Sequence, residues 1–65
     1  MHIIVNGAAR ELGTACSVAE LLALLEIRGR YAVEIDGELV PKSQHGVRYL
    51  QSGERVEIVQ AIGGG

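Results

Sequence analysis

Sixty-five residues make one domain, close to the lower limit at which an unstapled hydrophobic core can stand. Hydrophobic residues form 48% of the chain, too many for a disordered one, but there is no Phe or Trp and only two Tyr, so the core must be Val, Leu, Ile and Ala. A net charge of -2 without any basic run argues against nucleic acid as a partner, because phosphate binding needs concentrated Lys and Arg.

The chain opens on a β-branched run, His2-Ile3-Ile4-Val5, followed by Asn6-Gly7, the strongest short hairpin signal. Ala8 to Leu12 is expected to return antiparallel as a second strand, and Gly13 breaks the pattern. Ser17-Val18-Ala19-Glu20 has the form of a capping box, with the hydroxyl taking an N–H three residues on and the carboxylate reaching back. Val18, Leu21, Leu22 and Leu25 then follow helical spacing, and Leu24 widens the stripe. Gly29 offers a left-handed stop and Arg28 suits the negative end of the dipole. The spacing predicts one helix from Val18 to Arg28 with its leucine stripe in the core.

Tyr31 to Ile35 alternates and ends at a turn, Asp36-Gly37. Glu38 to Val40 is a short strand closed by Pro41, as suits a sheet edge. Residues 47–50 are ambiguous between a small strand and a turn. Ser52-Gly53-Glu54 leads into the last strand, Arg55 to Ile62, in which Val56 and Ile58 are expected to face the helix and Glu57 and Val59 the other way. The order is β-β-α-β-β, with an optional small strand, around one helix. A lone amphipathic helix buries its stripe against one face of a sheet. That places the first and last strands side by side and parallel at the centre of a mixed four- to five-stranded sheet. This α+β arrangement is the β-grasp topology over residues 1–62, and residues 63–65 form a flexible glycine tail.

Gly63-Gly64-Gly65 carries the chemistry. Three glycines have no Cβ, adopt almost any φ/ψ, and reach about 10 Å beyond Ile62 when extended. Such a thread can enter a narrow channel and present the α-carboxylate of Gly65. With Ile4 on the neighbouring strand, Val59, Ala61 and Ile62 are expected to form an apolar patch beside the tail and to dock a partner.

Other residues read as ordinary. Cys16, the one cysteine, cannot form an internal disulfide, and an unstapled chain of this size is expected in the cytoplasm. It precedes the helix cap, where a thiol can be activated, which gives only slight support for a reactive role. His2 and His45 read as surface or turn residues rather than metal ligands, and Lys42 as a solvated loop charge. The apolar stretches are far too short to span a bilayer, so no membrane contact is expected. There is no phosphate-binding loop of the GxxxxGK[ST] kind.

Three stretches, Ser17-Val-Ala-Glu-Leu-Leu22, Asp36-Gly-Glu-Leu-Val-Pro41 and Gly53-Glu-Arg-Val-Glu-Ile-Val-Gln-Ala-Ile-Gly-Gly-Gly65, together resemble the ThiS family, the ubiquitin-like sulfur carrier proteins of thiamine biosynthesis. The resemblance covers essentially the whole chain. Position 45, however, is His where related sequences often carry a larger aromatic. The resemblance implies a protein substrate rather than an enzyme. A ubiquitin-activating-type enzyme, supplying ATP and Mg²⁺, would adenylate Gly65. A sulfur donor protein would convert it to a thiocarboxylate, and thiazole synthase would receive the sulfur. The alternatives are the small subunit of molybdopterin synthase, a carrier conjugated to protein lysines, and a β-grasp binding module with an inert tail.

Overall fold

The computed structural model describes residues 1–60. Five strands form one sheet: β1 (His2–Val5), β2 (Ala8–Glu11), β3 (Tyr31–Ile35), β4 (Glu38–Val40) and β5 (Arg55–Gln60), in the order β2-β1-β5-β3-β4. β1 and β5 are parallel, Ile4 beside Arg55 and Val5 beside Val56, and the remaining pairs are antiparallel. The expected β-grasp is therefore present. The optional strand is not: around Tyr49 there is a single bridge to Ser17. The expectations placed on Ala61, Ile62, Gly63, Gly64 and Gly65 lie outside the described residues.

Both hairpins use the turn chemistry that their dipeptides demand. Asn6 and Gly7 take φ of +48° and +82°, and Asp36 and Gly37 take +50° and +85°. Two successive left-handed residues give the turn whose twist matches the flanking strands. β4 ends at Pro41, which has no N–H to extend the edge, and a 3₁₀ turn, η1 (Lys42–Gln44), follows.

The helix, α1 (Val18–Leu24), starts as its capping box requires. Ser17 Oγ accepts from Glu20 N–H at 3.1 Å, and Glu20 Oε1 accepts from Ser17 N–H at 2.8 Å. It stops earlier than Arg28. Ile27 N–H bonds back to Leu22 C=O and Glu26 N–H to Ala23 C=O, closing a Schellman motif around Leu25. Its left-handed residue is Glu26, with φ of +56°, and Gly29 takes a positive φ three residues later in the loop. Leu24 does not widen the buried stripe: it lies within the helix but off that face and is 62% exposed, while Val18, Leu21 and Leu22 are buried and Leu25 is half-buried.

Those helical residues lie on Ile3 and Val5 of β1, Val33 and Ile35 of β3, and Val56 and Ile58 of β5 in one apolar cluster. Each fully buried aliphatic side chain contributes about 1.5–3 kcal/mol. The long segment from η1 to β5 closes the cluster with Leu50. Glu54 organises its end, accepting from Gln51 N–H at 2.7 Å and from Arg48 Nη2 at 2.6 Å. Arg48 also donates to Tyr49 C=O, and the Glu54 carboxylate raises the guanidinium's already high pKa.

Candidate functional site

β5 is the last described strand and immediately precedes residues 61–65 in sequence, so the surfaces along it are those nearest in the chain to the candidate Gly65. Val56 and Ile58 are buried against the helix, as their alternation predicts. Arg55, Glu57 and Val59 occupy the opposite, open face, with Val59 57% exposed. The register sets Val59 opposite Ala32 and Glu57 opposite Glu34. Beyond them on β4, Leu39 faces Glu34 and is 65% exposed. The patch near the exit is therefore Val59, Ala32 and, diagonally, Leu39, next to a pair of carboxylates.

Ile4 does not belong to it. Ile4 lies beside Arg55, four residues back along β5, or about 13 Å at the rise of a strand. The expectation failed because parallel pairing brings β1 against only the beginning of β5. Ala32 and Leu39 went unnoticed in the sequence, although the alternation of Tyr31 to Ile35 puts Ala32 and Glu34 on the side away from the helix.

Side chains pin the exit of β5 from both flanks. Asn6 Oδ1 accepts from Ile58 N–H at 2.8 Å and its Nδ2 donates to Ile58 C=O at 3.3 Å. On the other flank Gln60 pairs with Tyr31, and Gln60 Nε2 donates to Arg28 C=O at 3.3 Å.

Tyr31 is itself fixed from outside the sheet. The His45 ring stacks on it at 6.0 Å between centroids, and Lys42 Nζ lies 5.6 Å from the centre of the Tyr31 ring. His45 is thus a buried residue, 8% exposed, with Nε2 at 3.1 Å from Val40 C=O. It is a turn residue, capping the end of η1, but a buried one rather than a surface one, and its ring supplies an aromatic contact at position 45. Lys42 is a cation beside a ring rather than a purely solvated charge. His2 is exposed, with Nε2 at 3.1 Å from Glu11 Oε1. The N-terminal amine donates to the other oxygen at 2.9 Å and holds the Glu11 carboxyl below its ordinary pKa.

Cys16 is half-buried, its Sγ 3.4 Å from Ser17 C=O. Burial, and then the Glu20 carboxylate, push its thiol pKa up, so it remains a protonated, weak nucleophile at neutral pH. Among the described residues no group of three or more His, Cys, Asp or Glu is placed to hold a metal, and no helix is long and apolar enough to cross a membrane.

The model of the ThiS family matches residues 3–65. The chain belongs to the ThiS family. Its fold is that of the crystal structure of the thiamine biosynthesis protein ThiS from Geobacter metallireducens, with a TM-score of 0.85, 28% identity and all of both chains covered. A solution structure of a thiamine biosynthesis protein from the same organism superposes with a TM-score of 0.84 at 28% identity, covering 100% of this chain and 88% of that one. A thiazole synthase of Paramagnetospirillum magneticum is 38% identical over 66 residues. That match takes in 100% of this chain but spans 20% of the relative's length.

Proposed function

We propose that this ThiS-family chain carries sulfur on its C-terminal glycine, Gly65, for formation of the thiazole of thiamine. The observation that carries this reading is the family match running through residue 65, so that it includes the triglycine. The end-to-end likeness to the ThiS of Geobacter metallireducens supports it.

The chemistry follows from the nature of a carboxylate. An α-carboxyl titrates near 3.5 and is ionised at neutral pH, which makes it a poor electrophile. Attack of a Gly65 carboxylate oxygen on the α-phosphorus of ATP releases pyrophosphate and leaves an acyl adenylate. Hydrosulfide then adds at the carbonyl carbon, AMP departs with its electron pair, and a thiocarboxylate remains. A ubiquitin-activating-type adenylating enzyme holds ATP and Mg²⁺, since this chain lacks a phosphate-binding loop. A sulfur donor protein supplies the sulfur in the cell. Thiazole synthase receives it, a role supported by the relative of that name. The chain acts as a cytoplasmic protein substrate, with Gly63 and Gly64 as the thread that admits Gly65 to the enzyme.

The adenylating enzyme docks on the open face at Val59 and Ala32, continuing through Ala61 and Ile62. Val59→Asp should weaken its binding about tenfold or more, by desolvating a charge, while unfolding stays within about 0.5 kcal/mol of the parent. Equal affinity in calorimetric titration would remove this face from the interface. The carrier reading itself is tested by intact mass after incubation with ATP, Mg²⁺, sulfide and the adenylating enzyme. A gain equal to one oxygen exchanged for one sulfur, localised to Gly65, is expected. An unchanged mass with enzyme active on another carrier would reject it.

A further inference from the structure

β5 is flanked by strands on both sides for only part of its length. β1 pairs with it at Ile4–Arg55 and Val5–Val56, and then leaves the sheet through the left-handed pair Asn6–Gly7. Asn6 N–H still donates to Val56 C=O at 2.9 Å. The next rung is made by a side chain, because the Asn6 carboxamide takes both Ile58 N–H and Ile58 C=O. One acceptor and one donor in a single plane satisfy what a further β1 residue would have satisfied.

Past that rung no described residue occupies the lane. Backbone groups alternate in direction along a strand, and here the sides are identified. Asp36 N–H donates to Arg55 C=O at 2.8 Å from the β3 side, whereas Val56 and Ile58 address the β1 side. Gln60 has the parity of Val56 and Ile58. Its N–H and C=O therefore point where β1 would have continued, and among the described residues no turn or loop hydrogen bond reaches either group. Its pairing with Tyr31 keeps it extended. The result is a sheet edge in the interior of the strand order, opening at Gln60, the last residue of β5.

The composition of the five residues after Gln60 says what kind of contact must follow. Ala61-Ile62-Gly63-Gly64-Gly65 contains no side chain able to donate or accept a hydrogen bond. A protein that grips it must hold its N–H and C=O groups, and an extended strand offers their complements at matched spacing.

We propose that an extended backbone segment of the adenylating enzyme adds to the sheet in the lane vacated by β1, pairing first with Gln60 N–H and C=O. The inference rests on the carrier reading and gives that docking its direction. Val59 meets the partner with its side chain on the open face, and Gln60 meets it with its backbone in the sheet plane.

A chain of this length is accessible to chemical synthesis, so the test is a Gln60 amide-to-ester replacement, which deletes that N–H and no side chain. The adenylating enzyme with ATP and Mg²⁺ is the probe, read by carrier-dependent pyrophosphate exchange and by hydrogen exchange. The ester chain should unfold like the parent yet lose about tenfold in kcat/KM, chiefly through KM. In the parent, Gln60 N–H should exchange rapidly when free and become protected in the complex, and Asn6→Ala should expose Ile58 N–H. Unchanged kcat/KM for the ester, or a Gln60 N–H already protected in the free chain, would overturn the added strand and leave the carrier reading standing. Failure of the unmodified chain to be adenylated would overturn both.

Discussion

The two faces of the sheet are built by the same strands and have opposite characters. Toward the helix, Ile3, Val33 and Val56 are at most 1% exposed. Away from it, the neighbours of those residues are Ile4, Ala32, Glu34, Arg55 and Glu57, with Val59 at the exit. One residue of register separates the two sets, because side chains alternate across a strand. The inner face is thus constrained by folding, whereas the outer face is largely released from it and can answer to a partner. Adjacent residues should therefore respond very differently to the same substitution. Ile3→Ala should cost about 3 kcal/mol in urea unfolding, through lost transfer energy and a cavity. Ile4→Ala, half-buried beside Arg55, should cost less than about 1 kcal/mol. Equal costs would mean that the outer face is as much a part of the core as the inner one.

The helix is what makes the inner face inner, and its two ends sharpen the contrast. Ser17 is buried, and its capping box satisfies two donors at once. Ser17→Ala should lower stability by about 1–2 kcal/mol. The other end is not optimal, since Glu26 sits where a residue without a Cβ would be unstrained. Glu26→Gly should raise stability by about 1 kcal/mol and the melting temperature accordingly. A loss instead would show that the Glu26 side chain contributes something that its geometry does not reveal.

These residues also show how much could be read beforehand. Asn6-Gly7, Ser17-Val-Ala-Glu20 and the alternation of Val56, Glu57, Ile58 and Val59 each encode a local geometry in consecutive residues, and each is present as expected. Two expectations failed where the deciding information is tertiary. The helix ended at a left-handed Glu26, with Ile27 packed half-buried against the core, although Gly29 looks the better stop in isolation. Ile4 was separated from Val59 by the parallel offset of β1 against β5, a register that no adjacent pair of residues encodes. The same offset hides the role of Asn6, whose carboxamide acts 52 positions away. The burial of His45 was not legible because the ring it stacks on, Tyr31, is remote in the chain.

The smallest effect is the most direct probe of the outer face. Glu34 and Glu57 are cross-strand partners there, and among the described residues neither has an ion pair within 4.0 Å. Like charges facing each other across a pair destabilise a sheet, by a few tenths of a kcal/mol on an exposed face. A chain selected only for stability would relieve that, whereas an inner-face position could not carry it at all. Glu57→Lys should therefore stabilise the fold by about 0.5 kcal/mol at low salt, and the gain should shrink at high ionic strength as screening removes the attraction to Glu34. Reversing both charges, in Glu34→Lys with Glu57→Lys, should abolish the gain by restoring repulsion between like groups. A stabilisation that survives high salt, or that persists in the double variant, would trace to lysine's longer stem packing on Ala32 and Leu39 instead. In that case the outer face would gain from added apolar contact even without a partner, and its exposure would reflect the residues present rather than any freedom from the fold.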